Sequence, residues 1–216
     1  MYRVGADEAG KGPVLGPMVA AAVRADPDSL PAGIDDSKRL SPARRESLAA
    51  MLRDGHDVAV GVAAVTPARI DDPATDMNSL TVEAQARAVA SVAADGDAVV
   101  VDAGDVSEDR FARRVREDAA DRGVEVRVDA EHGADERYDL VGASSVVAKV
   151  ERDARIDTLA DDYGDIGSGY PSDPTTRTFL REFVRETGEL PDCARTSWGT
   201  CTDLLAAAEQ SSLSEF

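Results

Sequence analysis

The sequence predicts an α/β fold on a mixed sheet, antiparallel in its first strands and parallel later. Three observations predict it. Short apolar runs joined by tight Gly/Pro turns fill the start of the chain, a strand-helix-strand unit follows, and 43% of the 216 residues are apolar, enough to bury a core. Residues 2–7 form a β-like run, and 17–24 (PMVAAAVR) a second strand after a Gly/Pro-rich turn. Ser41-Pro42 starts a helix, a cap followed by Pro at the first position, and Leu48, Met51 and Leu52 give it an apolar side. Residues 58–65 alternate Val with Ala and Gly as a third strand.

Val82, Ala86, Val89 and Ala93 recur at helical spacing, and residues 98–101 are an apolar strand ending at Asp102. Ser107 precedes a helix marked by Phe111, Val115 and Ala119, and residues 124–128 alternate as a fifth strand. A long helix opened by Asp135 carries Leu140, Ala143, Val147, Val150 and Ala154 on one side. Phe179, Leu180, Phe183 and Val184 mark another helix after Pro174, ended by Gly188, and a polar tail begins at Glu209.

The formal charge is −18, from 24 basic and 42 acidic side chains; Asp outnumbers Glu 28 to 14 and Arg outnumbers Lys 21 to 3. Such acidity argues against nucleic acid as a partner, because phosphate binding is driven by Lys and Arg. Adaptation to high salt is the alternative: near 1 M the Debye length is about 3 Å, and acids stop repelling a polyanion over any useful range. Composition leaves both open. The uncharged stretch 12–23 is too short to span a membrane, and Asp7 and Glu8 occupy the place of a secretory signal, so a cytoplasmic protein is expected. Cys193 and Cys201 are too few for a disulfide framework or a zinc site.

Gly5-Ala6-Asp7-Glu8-Ala9-Gly10-Lys11 matches the first seven positions of a phosphate-binding P-loop. That reading fails: Gly12 stands where a hydroxyl would hold magnesium, Pro13 replaces the helix start, and two carboxylates would sit inside a phosphate cradle. The same acids make sense as metal ligands. Asp102, after the apolar run AVVV, repeats the logic, since a carboxylate buried at a strand end is costly unless paired or bound to a cation. Spacing alone also allows solvated acids at Asp7, Glu8 and Asp102, and a helix cap at Asp135. His56 and His132 carry no assigned role.

Seven segments in order then carry a resemblance: DEAGKGPVLGP (7–17), DSKRL (36–40), VVVDAGD (99–105), AEHGAD (130–135), ASSVVAKVERD (143–153), GSGYPSDPTT (167–176) and RTSWGT (195–200). Over nearly its whole length the chain resembles ribonuclease HII, the type 2 ribonuclease H family, of archaeal kind with a halophilic surface composition. The resemblance implies a ribonuclease H-like fold, with a five-stranded mixed sheet flanked by helices and a small C-terminal helical extension. It divides the chain into a catalytic domain (1–160), a helical region packed on it (161–208) and a tail (209–216). It implies cleavage of RNA in RNA–DNA hybrids and on the 5′ side of single ribonucleotides in duplex DNA, leaving 3′-hydroxyl and 5′-phosphate ends.

It maps the acids of a two-ion Mg²⁺ or Mn²⁺ site onto Asp7, Glu8, Asp102 and Asp135, and the loop that reads the ribose 2′-hydroxyl onto Gly10, Lys11 and Gly12. Lys11 replaces the usual Arg. Tyr170 matches a tyrosine that stacks on the sugar, Ser37 and Lys38 match phosphate contacts, and Ser144, Lys149 and Arg152 lie on the long helix as further substrate contacts. The ending Gln210-Ser-Ser-Leu213-Ser-Glu-Phe216 resembles the QxxLxxF peptide that docks on the sliding clamp; in one tight turn Leu213 and Phe216 share a face. A monomer without membrane partners is expected. Type 3 enzymes share the Gly-Lys-Gly loop but usually carry an extra N-terminal domain, for which Asp7 leaves no room.

Overall fold

The computed structural model describes residues 3–34 and 40–213, with side chains as far as residue 210. Two compact units emerge. The first contains the chain up to Ala9, Val19–Ala64 and Asp76–Glu151; the second contains Gly10–Met18, Val65–Thr75 and the chain from Arg152 onward.

The five strands are β1 (Arg3–Ala9), β2 (Met18–Ala25), β3 (Val58–Val65), β4 (Ala98–Asp102) and β5 (Arg127–Glu131), in the order β3-β2-β1-β4-β5. β1 runs antiparallel to β2 and parallel to β4, and β4 is parallel to β5. This is the mixed five-stranded sheet the sequence predicts. The α-helices among the described residues are α1 (Pro42–Asp54), α2 (Pro67–Ile70), α3 (Met77–Ala90), α4 (Glu108–Asp121), α5 (Asp139–Tyr163), α6 (Pro174–Thr187) and α7 (Gly199–Leu213). Local chemistry explains their starts: the side chains of Ser41, Thr66, Asp76, Ser107 and Asp173 accept backbone N–H bonds at the N-termini of α1, α2, α3, α4 and α6.

In the first unit, Val23, Ile34, Leu48, Leu52, Leu140, Val146 and Val147 form one buried cluster. Each such side chain contributes roughly 1.5–3 kcal/mol relative to exposure. Small residues bring α5 onto β1: a Cβ at Gly5 would lie 2.3 Å from the Leu140 carbonyl carbon. Ser144, fully buried, locks that contact by donating to the Gly5 carbonyl (2.9 Å) and accepting from the Val23 amide (3.1 Å). In the second unit Val14, Leu15, Ile156, Ile166, Leu180 and Cys201 form another core. At its margin the rings of Tyr163, Phe179 and Phe183 meet edge-on or tilted at 5.8–6.0 Å.

Several expectations need correcting. The last strand is Arg127–Glu131, not 124–128. Asp135 does not open the long helix: it sits on a separate 3₁₀ turn, Ala134–Glu136, entered through Gly133 in the left-handed region (φ 65°). The chain from Glu209 is no plain tail, because α7 continues through Leu213 and includes Gln210. No helix among the described residues is long and apolar enough to cross a membrane.

Candidate active site

The first unit brings acids together at the ends of adjacent parallel strands. Ala6 of β1 is in register with Val101 of β4, and the next residues along the two chains are Asp7 and Asp102. Asp7 is 5% exposed. Burial first, then the Glu8 carboxylate and Asp102, push its carboxyl well above the usual carboxylate range; a hydrogen bond to Ser145 and the Lys149 ammonium act the other way. Lys149 in turn donates to the Ser145 hydroxyl. The α5 side chains Ser145 and Lys149 therefore serve Asp7, whereas Ser144 faces inward and has its hydroxyl used by backbone. Ser144, expected from the sequence as a substrate contact, is fully buried between α5 and β1.

Gln85 of α3 ties two of the acids. Its amide nitrogen donates to Glu8 Oε2 (2.5 Å) and to the Asp102 carbonyl (3.0 Å), while its own Oε1 is buried without a hydrogen-bond partner. Asp102 Oδ1 accepts from the Ala134 amide at 2.8 Å, which sets the 3₁₀ turn carrying Asp135, 6% exposed, against the end of β4. Among the described residues no three His, Cys, Asp or Glu side chains already stand close enough to hold an ion. The chemistry still fits a hard divalent cation: the donors are all oxygens, Asp7 is buried against like charge, and an orphaned acceptor lies beside them. His132 is held elsewhere, by Glu108 Oε1 and the Asp105 carbonyl, both at 2.8 Å.

Removing the buried charge exposes its cost. Asp7→Asn is expected to raise the melting temperature of the protein in chelator by a few degrees, on the order of 1 kcal/mol, while abolishing cleavage; calorimetry and a nuclease assay read both.

The second unit assembles Gly10, Lys11 and Gly12 with Tyr170 and Arg152. Gly10 has φ 86°, and a Cβ there would lie 3.0 Å from the Pro17 carbonyl and 3.2 Å from Arg152 Cγ. A Cβ at Gly12 would meet only Tyr170 Cε1 at 3.9 Å, so the partly exposed tyrosine ring adjoins the loop. Arg152, 5% exposed, stands over that ring at 5.1 Å and donates to the Ser168 carbonyl at 2.5 Å. It holds Tyr170 and the turn instead of lying on a solvated helix face. Gly10→Ala is expected to destabilise by about 1–2 kcal/mol and to depress cleavage, whereas Gly12→Ala leaves the melting temperature unchanged; thermal unfolding of the pair checks this.

A sequence profile of the family described as Ribonuclease HII matches residues 4–201. The chain belongs to the ribonuclease HII family. It is 61% identical to the ribonuclease HII of Haloarcula marismortui over 214 residues, covering 99% of this chain and all of that one. Among solved structures, the ribonuclease H2 of Pyrococcus horikoshii OT3 superposes with a TM-score of 0.87 at 37% identity, covering 97% of this chain and 100% of that one. A PCNA:RNase HII complex from Archaeoglobus fulgidus gives 0.82 at 40% identity, over 92% of this chain and 95% of that one. The ribonuclease HII fold is thus established for this chain, and with it ribonuclease H activity on RNA–DNA hybrids. Further relatives named ribonuclease HII come from Halobacterium salinarum, 61% identical, and Natronomonas pharaonis, 54% identical.

Ser37, Lys38 and Phe216 lie outside the described residues, as does the side chain of Leu213. Sequence reasoning passed over Gln85, Ser145 and Arg195. For Gln85 a signal was present: it falls three residues after Val82, a polar side chain on an apolar helical stripe.

Proposed function

We propose that this ribonuclease H hydrolyses the RNA strand of hybrids and also cuts 5′ of a single ribonucleotide in duplex DNA, using two divalent ions. One observation carries the reading: the buried Asp7, destabilised by Glu8 and Asp102, at the ends of neighbouring parallel strands. Asp7, Glu8, Asp102 and Asp135 are the residues to hold Mg²⁺ or Mn²⁺. Such ions activate a water and stabilise the leaving oxygen in phosphodiester hydrolysis. Gln85 fixes Glu8, Ser145 and Lys149 steady Asp7, and the Ala134 amide orients Asp102. Gly10, Lys11, Gly12 and Tyr170 read the ribose, with Arg152 behind the tyrosine ring; Ser37 and Lys38 remain proposed phosphate contacts. Lys149 is a proposed substrate contact from beside Asp7.

The shallow minor groove of a hybrid displays 2′-hydroxyls, so reading them needs no base sequence. The test is cleavage of a duplex with one ribonucleotide, beside a continuous hybrid, in Mg²⁺ or Mn²⁺ and in chelator, across a KCl series. Metal-dependent cleavage of both, rising toward molar KCl, is the expected result. Hybrid cleavage alone would leave a type 3-like specificity, and activity in excess chelator would remove the metals.

The C-terminus supports a second partner. Gln210 and Leu213 are three residues apart in a helical backbone and so share a face, and the structural neighbour from Archaeoglobus fulgidus is in complex with PCNA. A sliding clamp is the proposed partner of Gln210, Leu213 and Phe216. Deleting residues 210–216 is expected to abolish co-elution with the clamp and to spare cleavage of short duplexes.

A further inference from the structure

Arg195 is the largest fully buried side chain in the protein, and it makes no ion pair among the described residues. Its donors go to one loop instead. Nε donates to the Gly16 carbonyl (3.0 Å), Nη1 to that of Lys11 (2.8 Å) and Nη2 to that of Gly10 (2.6 Å). Trp198 completes the set: its ring centroid is 5.1 Å from the guanidinium carbon, and its indole N–H donates to the Gly12 carbonyl at 3.4 Å. Asp71 acts on Arg195 through space, but its carboxylate accepts from the amides and hydroxyls of Thr196 and Ser197.

Burial pushes the Arg195 pKa down to about 10, so the side chain is still a cation at neutral pH. A buried charge satisfied only by carbonyl dipoles is a poor way to gain stability, since apolar packing of the same volume commonly does as well or better. Its geometry has a different consequence. In a trans peptide the carbonyl and the following N–H point in opposite directions. Aiming the Gly10 and Lys11 carbonyls at Arg195 therefore aims the Lys11 and Gly12 amides away from it, on a loop where Gly12 borders the Tyr170 ring. The next residue, Pro13, has no N–H to offer.

We propose that Arg195, backed by Trp198, is the positioning residue that presets the Gly10–Gly12 backbone in the conformation that reads the ribose 2′-hydroxyl. The inference rests on the single-ribonucleotide reading proposed above.

The test is equilibrium binding in chelator, by fluorescence anisotropy, of a duplex with one ribonucleotide and of the same duplex in all-DNA form. Wild type should prefer the first. Arg195→Lys, which cannot span three carbonyls, should lower that preference at least about tenfold with little change in affinity for the all-DNA duplex. Trp198→Phe keeps the ring and loses one donor, so it should lower the preference less and stay folded. Circular dichroism melts establish which variants are folded; should Arg195→Lys fail to fold, Trp198→Phe decides. A wild-type preference kept by folded Arg195→Lys and Trp198→Phe overturns the inference alone. A wild type with no preference overturns the ribonucleotide reading itself.

Discussion

Asp102→Asn should reduce hybrid cleavage by at least about 10³-fold, roughly 4 kcal/mol of transition-state stabilisation, with substrate affinity nearly unchanged. The substitution is isosteric, and the amide oxygen can still accept the Ala134 N–H that Asp102 Oδ1 accepts now. Gln85 binds the Asp102 backbone carbonyl, which the change does not touch. What disappears is one negative charge at the end of β4, beside the buried Asp7. The proposed substrate loop around Gly10 and Tyr170 is untouched, so binding should survive while the proposed metal site loses a charge. Single-turnover cleavage and filter binding of the same hybrid separate the two quantities. Turnover unchanged would take Asp102 out of the site.

Gly5→Ala should cost at least about 3 kcal/mol, the upper end of overpacking penalties, and lower the melting temperature by about 6–12 °C. Its Cβ would lie 2.3–2.5 Å from the Leu140 carbonyl group and the Val141 nitrogen, which are backbone atoms of α5 and cannot rotate aside. The Ser144 bonds that fasten α5 to Gly5 and Val23 resist separation of helix from strand. Asp7 lies two residues further along β1, on the same face as Gly5. A forced shift of the strand therefore moves it relative to Ser145 and Lys149, and cleavage should fall even in the folded fraction. Differential scanning calorimetry with activity measured well below the transition checks both effects.

Most of the fold was legible because its elements announce themselves locally. β3 has the bounds its Val/Ala/Gly alternation predicts, and Ser41, Ser107 and Gly188 stand at helix ends as their chemistry predicts. The misplaced last strand shows the limit. Val124 and Val126 alternate well, but the Val124 amide closes the end of α4 on Ala119 and the Glu125 amide is taken by Asp95. Pairing with β4 then begins only at Arg127. α7 went unread since its sequence, GTCTDLLAAAEQSSL, carries one short apolar run and no long apolar stripe.

In the proposed site, Asp7, Glu8 and Asp102 stood out by type and by their apolar strand context, with solvated acids equally allowed by spacing, and Asp135 came only from the family resemblance. Their supports were not legible, because what a buried polar side chain touches is decided by distant chain segments: Gln85 meets Glu8 77 positions away, and Arg195 meets Gly10 185 positions away. The charge of −18 pointed away from nucleic acid when read alone. Its relatives in Haloarcula, Halobacterium and Natronomonas are consistent with the high-salt alternative, and a few of those acids are the proposed metal site.

The central proposal is that Asp7, Glu8, Asp102 and Asp135 would hold ions that support hydrolysis by water, with the 2′-hydroxyl read and not used as nucleophile. The chemistry of the cut ends tests it most directly. A duplex with a single ribonucleotide, cleaved in Mg²⁺ or Mn²⁺, should yield a 3′-hydroxyl and a 5′-phosphate at the 5′ side of that nucleotide, ends that a ligase can reseal. A 2′,3′-cyclic phosphate with a 5′-hydroxyl would mean the ribose attacked its own phosphate, and would contradict the account.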